Sequence, residues 1–259
     1  LEIAPQHLES HLSLGVVFHK LGQFHKAYSC YEQAIAINPN YVEAHINLGG
    51  VQKEYSNFDA ALLSYQKALT INPESVLAFS NLLFVQLHVP NQSSRLMFED
   101  AKRFGGLTEQ LARTTNIGLK WALQSKQALR VGFVSGDLRD HPVGHFIEGV
   151  LTALATDASG RLDVFAYPTF NSNDEVAARI KAQCKGWYSA MGVSDQDMAQ
   201  RIRDDQIDIL IDLSGHTAHN RLPLFAWKPA PVQVTWLGYL ATTGVAAIAY
   251  VLADAWTLP

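Results

Sequence analysis

Two stretches of this chain repeat each other at a spacing of 34 residues, and that period restricts the fold more than any other feature. Leu14-Gly15, Phe24, Ala27, Tyr31, Ala34 and Ile37-Asn38-Pro39 return as Leu48-Gly49, Phe58, Ala61, Tyr65, Ala68 and Ile71-Asn72-Pro73. A third copy opens at Phe79 and Leu82 and then loses the pattern. Small residues where two helices would cross, aromatics to fill the groove and a helix-stopping proline describe a two-helix hairpin. Such a hairpin cannot bury its apolar side alone and must stack on copies of itself.

A hairpin of this length with these residues is the tetratricopeptide pattern, so residues 1–80 are expected to form a helical repeat superhelix. From Asn81 to about Gln127 the repeat fails while helical texture persists, broken at Val89-Pro90-Asn91 and at Gly105-Gly106. Residues 81–128 are expected to be linking helices, and a degenerate repeat that caps the stack is compatible with that. With 259 residues, 48% of them hydrophobic and 17% charged, the chain suits one large or two ordinary well-cored domains. A net charge of −4 provides no basic field, so nucleic acid is excluded as the expected partner. Cys30 and Cys184 stand apart without metal-ligand spacing, which fits free thiols in a reducing compartment. No run is long enough to cross a membrane and no basic-then-apolar leader is seen, so the expected location is cytoplasmic.

After Leu129 the texture becomes that of an α/β domain, expected over 129–259. Leu129–Val134 is a short buried-strand run ending in Ser135-Gly136-Asp137. Val143–Ala155 places Phe146-Ile147, Val150-Leu151 and Leu154 on one helical face. Leu162–Tyr167 reads as a second strand, and Ser172-Asn173-Asp174-Glu175 has the spacing of a capping box that opens a helix to about Cys184. Ser194–Asp205 reads as a helix, Ile207–Leu213 as a third strand, and Val232–Trp236 and Ile248–Ala253 as two more. Strands alternating with helices imply a parallel sheet with right-handed crossovers, hence a Rossmann-like half. Ligands then bind beyond the carboxyl ends of the strands.

Chemistry-capable residues collect at those ends. The first strand leads into Asp137–His145, the third into Ser214–His219, and the fourth into Leu237-Gly238-Tyr239 and then Ala241–Gly244. Four of the ten histidines lie in the first two of these loops, where a side chain that exchanges protons near neutral pH is useful. Pro142 fixes the backbone after His141 and so sets that side chain's direction. His141 at a helix entrance could equally hydrogen-bond a loop, and His145, one turn on, could pack or cap. A zinc site from His141, His145, His216 and His219 is disfavoured, since neither a neighbouring cysteine nor the Glu of a His-Glu-x-x-His helix is present. Asp195-Gln196-Asp197 has the look of a metal-holding carboxylate pair, yet a place in the first turn of a helix favours dipole complementation. No Gly-x-Gly-x-x-Gly follows the first strand, which disfavours a dinucleotide site.

Arg130–Asp137 with His141-Pro142 and His145, Ile209–Thr217, Asn220-Arg221, Phe225-Ala226, Lys228-Pro229-Ala230-Pro231 and Gln233–Tyr239 together resemble the catalytic region of the O-linked N-acetylglucosamine transferase family. Repeats fused directly to this block also resemble that family, and its bacterial members most. The resemblance implies the N-terminal half of a two-domain GT-B glycosyltransferase. Such an enzyme moves N-acetylglucosamine from UDP-N-acetylglucosamine to a Ser or Thr hydroxyl of a protein, with inversion and without metal or other cofactor. It implies His141 as the active-site histidine, either as base or as orienting group. It also implies a substrate cleft lined by Pro142 and His145 on the first loop, by Gly215, His216 and Thr217, and by Gly238, Tyr239 and Thr243.

Protein acceptors would then reach the cleft along the repeats. Most UDP-binding residues and the cation that meets the diphosphate would lie in a second Rossmann-like domain, in the same or another chain, without which this half is expected to be inactive. A homodimer through exposed repeat faces is left open. Two departures stand out: Leu240 and Ala241 replace a Pro-Gly of the family pattern, and Ala249 stands where the family tends to Asp. They keep a second reading alive, a non-catalytic repeat module that binds a partner while the α/β half is a remnant.

Overall fold

The structure, a computed structural model, describes residues 7–113, 128–156 and 160–254. It divides into two compact units, residues 1–100 and 101–259. The first unit is helical, with α1 (Leu8–Lys20), α2 (Phe24–Ile37), α3 (Val42–Glu54), α4 (Phe58–Ile71) and α5 (Val76–Gln86), followed by the start of α6 (Ser94–Arg113). The repeated residues do the same job twice. A Cβ on Gly15 would lie 2.4 Å from the Tyr31 ring, and one on Gly49 would lie 2.7 Å from the Tyr65 ring. Each tyrosine ring therefore fills the space a side chain on the glycine would take, and both are buried, as are Ala27, Ala34, Ala61 and Ala68.

The repeated Ile-Asn-Pro also has a mechanical reason. The side chain of Asn38 accepts from the Asn40 N–H at 3.0 Å, and that of Asn72 accepts from the Glu74 N–H at 3.1 Å. Each asparagine turns the chain by standing in for the backbone, and the proline after it prevents the helix from continuing. Ser75 then caps α5 by accepting from the Ala78 N–H at 3.3 Å.

The boundary between units falls inside α6, so residues 81–100 go with the repeats and 101–113 with the α/β unit; residues 114–127 lie outside the described residues. Gly105-Gly106, read from the sequence as a break, lies within α6 instead. The interruption at Pro90 is real, since α5 ends at Gln86 and α6 begins at Ser94.

The second unit holds a six-stranded sheet, all parallel, in the order β3-β2-β1-β4-β5-β6. Its strands are β1 (Leu129–Ser135), β2 (Leu162–Pro168), β3 (Gly186–Trp187), β4 (Ile209–Asp212), β5 (Val232–Thr235) and β6 (Tyr250–Val251). The helices are α7 (Pro142–Thr156), α8 (Glu175–Ala182), α9 (Asp195–Asp204) and α10 (Leu222–Ala226). β3 and α10 escape the sequence reading because two residues and five residues are too short to show a period.

Alternation along the central strands builds two cores. Val131, Phe133 and Ile211 pack with Ile147 and Leu151 of α7 and Val176 and Ile180 of α8. Val134 and Leu210, pointing the other way, are also buried. Each such side chain contributes roughly 1.5–3 kcal/mol. The capping-box expectation needs correction: the N-cap of α8 is Asp174, whose side chain accepts from the Ala177 N–H at 2.8 Å, while the Ser172 hydroxyl donates to Asp174 at 2.6 Å. A carboxylate gives a stronger charge-assisted cap than a hydroxyl, so the helix starts two residues later.

Candidate functional site

The strand order reverses between β1 and β4: from β1 the chain winds outward through β2 and β3, and from β4 it winds the other way. Loops leaving these neighbours diverge and open a crevice at their carboxyl ends. The two ends are tied together, with Ser135 Oγ 3.4 Å from Ser214 Oγ and the Asp137 N–H donating to Ser135 Oγ at 3.0 Å.

Asp212, the last residue of β4, is fully buried and organises the turn that follows. Its carboxylate accepts from the N–H groups of Ser214 (3.1 Å) and Gly215 (2.9 Å) and from the Thr235 hydroxyl (2.9 Å). Burial pushes its pKa up to about 6, with the three donors opposing. The turn needs Gly215 for two reasons: φ is +54°, and a Cβ would fall 2.1 Å from that of Tyr239. Gly238 approaches the turn after β4 as closely, a Cβ there meeting the Leu213 carbonyl oxygen at 1.9 Å.

His216 comes next and is buried at 2% exposure. Its Nε2 lies 3.0 Å from the Thr243 carbonyl, and its ring meets Tyr239 edge-on at 5.1 Å. A carbonyl only accepts, so Nε2 carries the proton. Burial pushes the pKa down to about 4, and the hydrogen bond to Thr243 opposes this only partly; His216 is a neutral donor at neutral pH. Burial likewise raises the Tyr239 phenol, keeping it protonated. The Thr217 hydroxyl donates to the Ser214 carbonyl at 2.8 Å and closes the turn. Of the residues singled out from the sequence, Gly215, His216, Gly238, Tyr239 and Thr243 thus form one interlocked wall. Leu240, one of the two departures from the family pattern, points outward at 88% exposure and leaves that wall intact.

The β1 side carries a second group. His141 precedes α7, with Pro142 as the first helical residue, and its Nδ1 accepts the Val143 N–H at 3.2 Å. That bond occupies the Nδ1 lone pair and leaves the proton of the neutral ring on Nε2. The Asp137 carboxylate lies 3.8 Å from the same Nδ1, too far for a hydrogen bond, and is held by Arg139 at 3.3 Å. His145 neither packs nor caps: it is exposed, and its Nε2 lies 2.9 Å from Asp140.

Sequence reading gave His219 and Arg139 too little weight. A Cβ on Gly136 would lie 2.5 Å from that of His219, whose carbonyl accepts the Thr169 hydroxyl at 2.5 Å. The His219 ring lies 4.6 Å from Phe170, and Arg139 stands over the same phenylalanine at 5.2 Å. His219 also sits at φ +59°, an uncommon conformation for a residue with a side chain. Its spacing from His216 suggests only a metal set; its place, where the loop after β4 meets those after β1 and β2, is a tertiary feature.

His216 and His219 therefore face different surroundings, and among the described residues no group of three or more His, Cys, Asp or Glu is arranged to hold a metal. Asp195 is engaged by Arg221 at 2.5 Å and Asp197 by the Ser194 hydroxyl at 2.7 Å, so that pair serves the start of α9. Cys30 and Cys184 are free thiols, and among the described residues no helix is long and apolar enough to cross a membrane.

Comparisons with known proteins agree with this geometry. A family model described as glycosyl transferase family 41 matches residues 110–259, and one described as a TPR repeat matches residues 15–55. The chain is 38% identical over 130 residues to a probable UDP-N-acetylglucosamine–peptide N-acetylglucosaminyltransferase SPINDLY of Hordeum vulgare, a match covering 49% of this chain and 14% of the relative. It is 31% identical over 142 residues to the UDP-N-acetylglucosamine–peptide N-acetylglucosaminyltransferase of Caenorhabditis elegans, covering 54% of this chain and 12% of that one. A solved Thermobaculum terrenum O-GlcNAc transferase mutant is matched with a TM-score of 0.87 at 30% identity, over 98% of this chain and 48% of that chain. The chain thus spans about half of the solved structure and a much smaller part of the curated relatives. With helical repeats followed by this parallel α/β unit, the chain belongs to glycosyl transferase family 41.

Proposed function

We propose that the full-length protein transfers N-acetylglucosamine from UDP-N-acetylglucosamine to Ser or Thr hydroxyls of proteins, with inversion, and that this chain supplies the N-terminal half of a GT-B cleft. The observation that carries the reading is the likeness of 98% of the chain, repeats included, to a solved O-GlcNAc transferase. In the reaction the acceptor oxygen bonds to the anomeric carbon while the bond from that carbon to the diphosphate oxygen breaks. The electron pair goes to UDP and the hydroxyl proton must leave.

His141 is the residue on the β1 side of the crevice suited to touch the reacting groups. With Nδ1 occupied by the Val143 N–H, it presents Nε2–H, a donor that orients the acceptor or the sugar. To act as a base at Nε2, the ring would have to give up that bond and turn an Nδ1 proton toward Asp137. The wall of Gly215, His216, Thr217, Gly238, Tyr239 and Thr243 shapes the sugar side of the cleft. The residues that would counter the diphosphate charge belong to a second nucleotide-binding domain, and protein acceptors would be presented by the repeats. The proposed step uses no metal, and the Asp195 and Asp197 carboxylates serve Arg221 and Ser194 instead. The compartment proposed is the cytoplasm.

The test is release of UDP from UDP-N-acetylglucosamine by the full-length protein with a protein acceptor. His141→Ala is expected to lower it at least about tenfold. Unchanged turnover would remove His141 from the mechanism.

A further inference from the structure

The second half of α6 buries Ala101, Phe104, Gly105 and Thr108, spaced as one face of a helix. That face is pressed against the segment after β5. A Cβ on Gly105 would lie 1.9 Å from the Gly244 carbonyl oxygen, and one on Gly244 would lie 1.9 Å from the Ala101 carbonyl oxygen. Two backbones meet here with no side chain between them. Gly244 also holds φ +75°, so that position is fixed for a second reason. Beside this contact the Phe104 ring meets His216 edge-on at 4.7 Å, on a histidine that also touches Tyr239 and donates to Thr243. The Thr108 hydroxyl donates to the Gly105 carbonyl at 2.8 Å and braces the helix at the point of contact.

Resting on the reading above of the 215–243 wall as the sugar side of the cleft, we propose that Phe104 and Gly105 are positioning residues, which hold the 237–245 segment and His216 at the depth at which they shape that side. Two adjacent glycines in a helix are otherwise poor choices, since each destabilises the helix relative to alanine. Gly105 is required by the close approach, whereas a Cβ on Gly106 would meet nothing within 4 Å. The pair therefore carries its own control.

Three variants of the full-length protein test this: Gly105→Ala, Gly106→Ala and Phe104→Leu. One readout is the donor KM against kcat; the other is the proton signal of His216 Nε2 in protein labelled with 15N-histidine, which the Thr243 bond protects from exchange. Gly105→Ala is expected to raise the donor KM at least tenfold and to shift or abolish the His216 signal. Gly106→Ala is expected to leave both unchanged. Loss of folded protein alone would lower kcat and leave KM in place. If Gly105→Ala does not fold, Phe104→Leu carries the test, with the His216 signal expected to move. Wild-type values of KM and of the His216 signal in Gly105→Ala, or an unmoved signal in Phe104→Leu, would overturn the assignment. Should the wild type release no UDP, the transferase reading fails by itself, and the His216 signal still decides whether α6 holds the loop.

Discussion

At the scale of single residues, His141 and His216 do opposite things with their ring nitrogens. His141 spends Nδ1 on its own helix, and His216 spends its Nε2 proton on the Thr243 carbonyl. If His141 orients rather than deprotonates, His141→Asn, which can keep both an acceptor for the Val143 N–H and an outward donor, should retain clearly more turnover than His141→Ala. Equal losses in the two variants, with an acidic limb in the pH–rate profile that disappears with His141, would mean it acts as the base. His216 makes a separate prediction about stability. Its folded pKa lies below its unfolded one, so its contribution is present above pH 6.5 and is lost as pH falls toward 4. Asp212 has the reverse sign: its raised folded pKa gives stability that is full near pH 4 and lost as pH rises through about 6. The two offset each other in wild type between about pH 4 and 6. Relative to wild type, His216→Gln should gain on the order of 2 kcal/mol between pH 7 and pH 5 in denaturant titrations. Parallel curves for the two proteins would show that His216 is not held neutral by burial.

Among the elements, the loops between strand and helix depend on a few cross-links that a linear reading cannot see. Arg221 pairs with Asp195 and donates to the carbonyls of Ala190 and Val193, fastening the approach to α9 onto the approach to α10. Only a planar fork reaches all three, so Arg221→Lys should cost about 2–4 kcal/mol in chemical denaturation, much as loss of the pair would. A cost below about 0.5 kcal/mol would show these contacts to be incidental. The same contrast separates what was legible from what was not. The 34-residue period, the strands at 129–135 and 162–168 and the crevice loops could be read because each rests on a local rule: turn-forming Asn-Pro, alternation of buried residues, polar residues after a strand. The continuity of α6 through Gly105-Gly106 could not, because its reason lies at Gly244, more than a hundred residues on. His219 and Arg139 were underweighted likewise, since their importance comes from meeting Phe170.

For the molecule as a whole, the proposed function gives the helical repeats the role of a surface for proteins, and gives the parallel sheet ordered β3-β2-β1-β4-β5-β6 the role of one wall of a sugar-nucleotide cleft. The exposed position of Leu240 shows how the chain departs from its family's loop sequence while keeping the wall of Gly215, His216 and Tyr239 in place. At Leu240, at least, the departure is compatible with a remnant attached to a binding module as well as with the transferase proposed above. The measurement that tests this most directly is mass spectrometry of a protein acceptor incubated with UDP-N-acetylglucosamine and the full-length protein, wild type beside His141→Ala. The account predicts N-acetylglucosamine on acceptor Ser or Thr in the wild type and at least about tenfold less in the variant. An acceptor that binds the repeats yet stays unmodified by the wild type would contradict it.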